Sequence, residues 1–179
     1  MIALTEDVSI TSLLNITKNL TINLNGNDII RTTAATNACA IYMNTPGTTL
    51  TLTGDGKVEA YSYAIWVVQG EVIINGGEYK NDDAATGNSQ ADAAIYVRSE
   101  GKVTINGGTF SSAEYGMLIQ DSADGTINGG TFNGSVADVK YCCHVDLTVN
   151  GGTFTGTLLC EDPCTSTSIV YDGTFTDNR

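Results

Sequence analysis

Apolar and polar residues alternate in short stretches along the chain, and four of these stretches run into the same Asn-Gly-Gly step. The copies are Val72–Tyr79, Val103–Phe110, Thr126–Phe132 and Leu147–Phe154, with a decayed copy at Ile169–Phe175. The asparagine falls at 75, 106, 128 and 150, and Tyr171 takes its place in the last copy, giving intervals of 31, 22, 22 and 21 residues. Earlier relatives of the stretch stand at Leu20–Asn23 and Leu50–Thr53. A second pattern runs in step with the first: Ala40–Met43, Ala64–Val67, Ala94–Val97, Gly116–Ile119, Asp138–Tyr141 and Thr157–Cys160. Alternation of period two, many Thr and no 3.6-residue stripe predict strands and exclude helix. Each period holds three short strands, the third carrying Thr-Phe. Strands this short cannot bury a face alone, so stacked repeats are the expected solution.

The alternation also assigns faces. Ile74, Ile105, Ile127 and Val149 are expected inside, with the following Asn at a corner. Asparagine tolerates the left-handed backbone a corner needs, and its amide can bond the asparagine of the next repeat. The glycine after it permits positive φ and close approach. Tyr79, Phe110, Phe132, Phe154 and Phe175 then form an internal aromatic column.

With this repeat length, corner asparagine and internal stacks, the chain resembles the right-handed parallel β-helices of the pectate-lyase-like type over residues 20–178. The resemblance implies an all-β solenoid of about seven rungs of roughly 22 residues, three short strands to a rung. It also implies an asparagine ladder of Asn75, Asn106, Asn128 and Asn150 at the tight turn. The reading is a single domain over residues 1–179. Residues 1–30 form the first rungs and cover one end, and residues 31–179 form regular rungs with a polar loop inserted at 81–92. The last rung has no evident cap, and its strand edges call for a partner, another subunit or further chain.

Composition narrows the partners. The formal charge is −12, and no Lys/Arg cluster occurs. Neither a nucleic acid nor an anionic membrane surface finds a basic footprint. No apolar run reaches the roughly 18 residues of a membrane span. The start, Met1 to Asp7, has neither basic n-region nor apolar h-region, so it is not a secretory signal as it stands. Five cysteines leave at least one thiol outside any intrachain disulfide framework. A reducing origin is the simpler reading. The alternative is one disulfide, Cys160–Cys164 or across repeats, or a cysteine stack, the repeat offset placing Cys143 over Cys164.

Candidate chemistry lies on the outer side of the second pattern. With Ile41, Ile65, Ile95 and Met117 inside, Tyr42, Trp66, Tyr96 and Leu118 line up outside, followed by Lys140 and Leu159. An exposed apolar stripe in an acidic protein marks a contact, either a subunit interface or a sugar-stacking platform. The plainer reading is that loops cover these rings or that the phase is inverted. In the pectinase-type enzymes the resemblance brings in, this face bears the catalytic groups. Their hydrolases carry Gly-His-Gly and Arg-Ile-Lys motifs, absent here. Their lyases pair calcium-binding carboxylates with an Arg or Lys base. This face offers only Arg98 and Lys140, with Asp138 and Glu161 beside them. No catalytic residue is assigned.

Asp82, Asp83 and Asp92, and also Asp121 and Asp124, read as solvated acidic turns rather than calcium sites, because their spacing matches no calcium loop. Cys142, Cys143 and His144, with Cys160 and Cys164, bring soft ligands together. Adjacent cysteines on a strand point to opposite faces, however, so structural cysteines are expected rather than zinc. No metal or cofactor is expected, and His144 reads as a turn residue. The functional expectation is a non-enzymatic virion component, such as a phage capsid decoration or a head or tail fibre module, acting as a homo-oligomer (a trimer by the resemblance) or by attachment to a virion protein. The alternative is a carbohydrate-binding or polysaccharide-degrading module of a bacterial surface or secreted protein, with a cell-surface glycan as partner.

Overall fold

A computed structural model describes the chain over residues 1–81, 92–142, 144–161 and 167–176. Among these residues there are strands and turns and no helix. In chain order the strands are β1 (Ile2–Ala3), β2 (Val8–Ile10), β3 (Leu14–Ile16), β4 (Leu20–Asn23), β5 (Ile29–Arg31), β6 (Cys39–Thr53) and β7 (Lys57–Ala60). There follow β8 (Tyr63–Ile74), β9 (Glu78–Asn81), β10 (Ala93–Ile105), β11 (Thr109–Ser112), β12 (Tyr115–Gln120), β13 (Asp124–Ile127) and β14 (Thr131–Gly134). The last are β15 (Ala137–Cys142), β16 (Asp146–Val149), β17 (Thr153–Phe154), β18 (Leu158–Cys160), β19 (Thr167–Val170) and β20 (Thr174–Phe175).

All the pairings among these strands are parallel. They build a 12-stranded and an 8-stranded sheet. The registers follow the sequence repeat: Ile74 lies opposite Ile105, Ile105 opposite Ile127, and Ile127 opposite Val149. These four side chains are fully buried, on the face the alternation assigned them. In β6, β8 and β10 the first and second patterns run on as one strand of 15, 12 and 13 residues, where the sequence suggested two. Irregularities in register absorb the change of direction, between Val97 and Glu100 for example. Further on, left-handed residues break the strand: Asp121 and Ser122 separate β12 from β13, and His144 lies between β15 and β16.

One hydrophobic core runs through the described residues, joining the inward side chains of both sheets. In the 8-stranded sheet, Tyr79, Phe110, Phe132, Phe154 and Phe175 stack with centroid separations of 5.2, 4.8, 5.2 and 5.0 Å. The first four are buried, and Phe175 is 44% exposed. Between the sheets the chain turns at Asn-Gly-Gly. At Gly108, with φ of 108°, a Cβ would stand 2.9 Å from the Gly77 carbonyl oxygen, so a side chain there would push the repeats apart.

The exposed corner asparagines are joined in a row. Asn106 Nδ2 donates to Asn75 Oδ1, Asn128 to Asn106, and Asn150 to Asn128, each at 2.8 Å. Asn128→Ala removes two of these bonds. We expect it to lower stability by about 1 kcal/mol, and Asn150→Ala, which loses one, by about half as much, measured by urea unfolding.

Candidate functional site

The outer side of the second pattern holds a second, closed apolar cluster rather than an exposed stripe. Its columns are set by strand register: Tyr42 opposite Trp66, Trp66 opposite Tyr96, Tyr96 opposite Leu118, Leu118 opposite Lys140 and Lys140 opposite Leu159. Tyr96 and Leu118 are 3% and 4% exposed, and Tyr42 and Trp66 are half-buried against them. The expected exposure of Tyr96 and Leu118 is therefore wrong.

The physical reason is a slip in alternation. Ala64 and Ile65 both enter the main core, as do Ala40 with Ile41 and Ala94 with Ile95. The residue before each alanine therefore also faces out. Cys39, Tyr63, Ala93, Tyr115 and Ala137 form this second outer column, in register with one another. Tyr63 wedges between columns, 5.0 Å from Tyr96 and 5.8 Å from Trp66, while Trp66 stacks on Tyr96 at 5.7 Å and meets Tyr42 edge-on at 5.3 Å. Each ring thus shields its neighbours. Sequence reasoning missed Tyr63 and Tyr115; the signal available was their recurrence three residues before the outer Trp66 and Leu118.

Several polar groups around this cluster are engaged with one another, while Trp66 Nε1 and Arg98 Nε are buried without a hydrogen-bond partner among the described residues. Gln120 Nε2 donates to the Tyr96 hydroxyl at 2.6 Å, and Cys142 Sγ donates to Gln120 Oε1 at 3.8 Å. Burial raises the pKa of both the Tyr63 and the Tyr96 phenols. Arg98 pairs with Asp121 at 3.1 Å and lies 6.0 Å from the Tyr96 ring centre. Lys140 Nζ sits 5.1 Å from the Tyr115 ring centre and 3.0 Å from Glu161 Oε2. Burial works to lower the Lys140 pKa, but its bonds and charge interactions with Glu161 and Tyr115 outweigh it, and the net shift is upward. An ammonium held in this way is poorly suited to act as a base.

Asp138 does not stand beside Lys140 on the outer face. It takes the inward place that Ala94 occupies two repeats earlier and is fully buried. Its carboxylate accepts from the Gly134 amide at 3.0 Å, the Gly156 amide at 2.6 Å and Thr155 Oγ1 at 3.4 Å. Asp138 ties the end of β14 to the bend after β17.

The acidic turns also depart from expectation. Asp82 and Asp83 lie outside the described residues. Asp92 is buried, 6% exposed, and its backbone amide donates to Glu114 Oε2 at 3.0 Å. Asp124 pairs with Lys102 at 2.8 Å. A polar groove of about 650 Å³ runs past Asp28, Lys57, Glu78 and Lys80, and in it Lys57 is tied to Glu59 at 2.7 Å and to Asp28 at 3.8 Å.

Of the cysteines, Cys160 is disulfide-bonded, which differs from the simpler reading of reduced thiols. Cys143 and Cys164 lie outside the described residues. Cys39 is a buried free thiol, Cys142 is buried with its Sγ against Gln120, and His144 is an exposed turn residue. Burial pushes the Cys39 thiol up from 9.0 to about 11. A group whose folded pKa is raised stabilises fully below its unfolded pKa and loses that contribution as pH rises through the folded value. Ionising Cys39 would charge a buried thiol, so the folded protein is expected to lose roughly 2 to 3 kcal/mol of stability as pH rises from about 9 to about 11. Urea unfolding of the protein and of Cys39→Ala across that window checks it: the native protein should lose stability more steeply.

Comparison with protein-family models, with curated proteins and with solved structures finds no match for the chain.

Proposed function

We propose that the chain is a right-handed parallel β-helix of about seven rungs, with the asparagine row as a ladder at its tight turn, serving as a non-enzymatic structural module of a virion. Parallel strands joined by successive crossovers favour the right-handed sense. Parallel registers one repeat apart and the row from Asn75 to Asn150 support the solenoid reading. The observation that carries the functional reading is the closed aromatic cluster around Trp66. It fills the face on which a pectinase-type enzyme would need acids, and it turns its ring faces on one another rather than toward a sugar.

In this reading the module is a capsid decoration or a head or tail fibre element that self-associates as a homotrimer. Exposed apolar side chains at Val136, Leu159, Val170 and Tyr171 support a contact between copies. The acidic surface keeps assemblies soluble. Light scattering of the purified protein over a range of concentrations tests the reading. The expected mass is a trimer's. A monomer throughout, together with release of saccharide fragments from acidic polysaccharides, would favour the carbohydrate-active alternative instead.

A further inference from the structure

Six Asn-Gly pairs occur in the chain: at 25, 75, 106, 128, 133 and 150. Such a pair is chemically vulnerable, because a glycine without Cβ lets its own amide nitrogen approach the Cγ of the asparagine before it. Attack there closes a five-membered succinimide. The fold treats the six pairs differently. In the corner row, Asn106 and Asn128 each donate through Nδ2 and accept through Oδ1, which holds their amides along the stack and away from the following glycine. Asn75 and Asn150 are each held from one side by the same row. Asn25 Nδ2 is bonded to the Leu4 carbonyl at 2.9 Å.

Asn133 stands apart. It is exposed, next to last in β14, and the chain bends at 135 and 136 directly after it. The Gly134 amide, which would be the nucleophile, donates to Asp138 Oδ1 at 3.0 Å. That carboxylate is fully buried. The other end of the reaction has a donor within reach: Thr155 Oγ1 stands 3.4 Å from Asn133 Oδ1, with the Asp138 carboxylate at 3.4 Å and the Phe132 carbonyl at 3.2 Å as competing acceptors for its one proton. No other Asn-Gly pair has a recorded bond from its glycine amide to a carboxylate among the described residues.

We propose that Asn133–Gly134 is a self-modification site, at which Asp138 serves as base and Thr155 as oxyanion donor for succinimide formation. The Gly134 nitrogen gives its proton to Asp138 and bonds to Asn133 Cγ, while the amide oxygen takes negative charge toward the Thr155 hydroxyl. The intermediate collapses, the C–N bond of the side chain breaks, and the nitrogen leaves as ammonia after taking up the proton held by Asp138. Water then opens the ring at either carbonyl, giving aspartate or isoaspartate at position 133. The isoaspartate form adds one carbon to the backbone of β14, next to Phe132 and its register with Phe154. The modification therefore loosens the aromatic column at its middle ring.

The test is peptide mapping by mass spectrometry of the full-length protein, aged under native, mildly alkaline conditions, with the amide content of all six pairs followed in time. Asn133 is expected to convert several-fold faster than Asn106 or Asn128. Thr155→Val should slow Asn133 several-fold and leave the other five pairs unchanged, with circular dichroism confirming the fold. Asp138→Asn should slow it as well. If that variant unfolds, all six pairs accelerate together and Thr155→Val decides. Conversion of Asn133 no faster than the row asparagines, or indifference to Thr155→Val, overturns the proposal.

Discussion

Phe132→Ala is expected to lower the unfolding free energy by about 3 to 5 kcal/mol, among the largest effects of a single truncation in this chain. Phe132 is fully buried and stacks on both faces, at 4.8 Å from Phe110 and 5.2 Å from Phe154. Removing the ring leaves a cavity walled by two aromatic faces. The strands on either side are bound in parallel register, so the walls cannot close on it without breaking backbone pairing. Phe175→Ala is the matched control: the ring is 44% exposed and, among the described residues, stacks on Phe154 alone, and the loss there is expected to stay under about 1 kcal/mol. Urea unfolding of the two variants measures both. Equal losses would mean that the column contributes no more inside the molecule than at its margin.

Asp138→Ala is expected to cost about 3 kcal/mol. The carboxylate is buried and receives the amides of Gly134, at the end of β14, and Gly156, in the bend after β17. Alanine leaves both part-buried N–H groups without their charged acceptor, and a donor that loses such a partner costs more than an ordinary hydrogen bond contributes. Asp138→Asn keeps one acceptor oxygen and should lose less than half as much. If the alanine variant proves as stable as the native protein, Asp138 does not tie these two segments together in solution.

The sheets were legible in the sequence because one simple period carries them. Wherever Ile74, Ile105, Ile127 and Val149 alternate with polar neighbours, a strand has only one way to face, and the structure buries all four. The Asn-Gly-Gly step likewise announces a corner, and the Tyr79 to Phe154 column follows from position alone. The outer cluster was hidden for a physical reason. Period-two reasoning assumes strict alternation, and at Ala64 and Ile65 two successive side chains turn inward. That slip sends Tyr63 outward next to Trp66, and it also puts Asp138 inside, where alternation alone had placed it with Lys140. Side chains as small as Ala40, Ala64 and Gly116 at the slip were a visible sign. What the residue pattern could not show is that Tyr63 and Tyr115 would shield the row from solvent, since mutual shielding depends on ring orientation.

Trp66 is the chain's single tryptophan, and its indole nitrogen is buried within the outer cluster. Its fluorescence therefore reports directly on whether the face that could have been a sugar platform is closed within the chain itself. The account predicts blue-shifted emission, weak quenching by acrylamide and no change when neutral or acidic oligosaccharides are added. Emission typical of a water-exposed indole, or a saturable shift on adding a glycan, would contradict it.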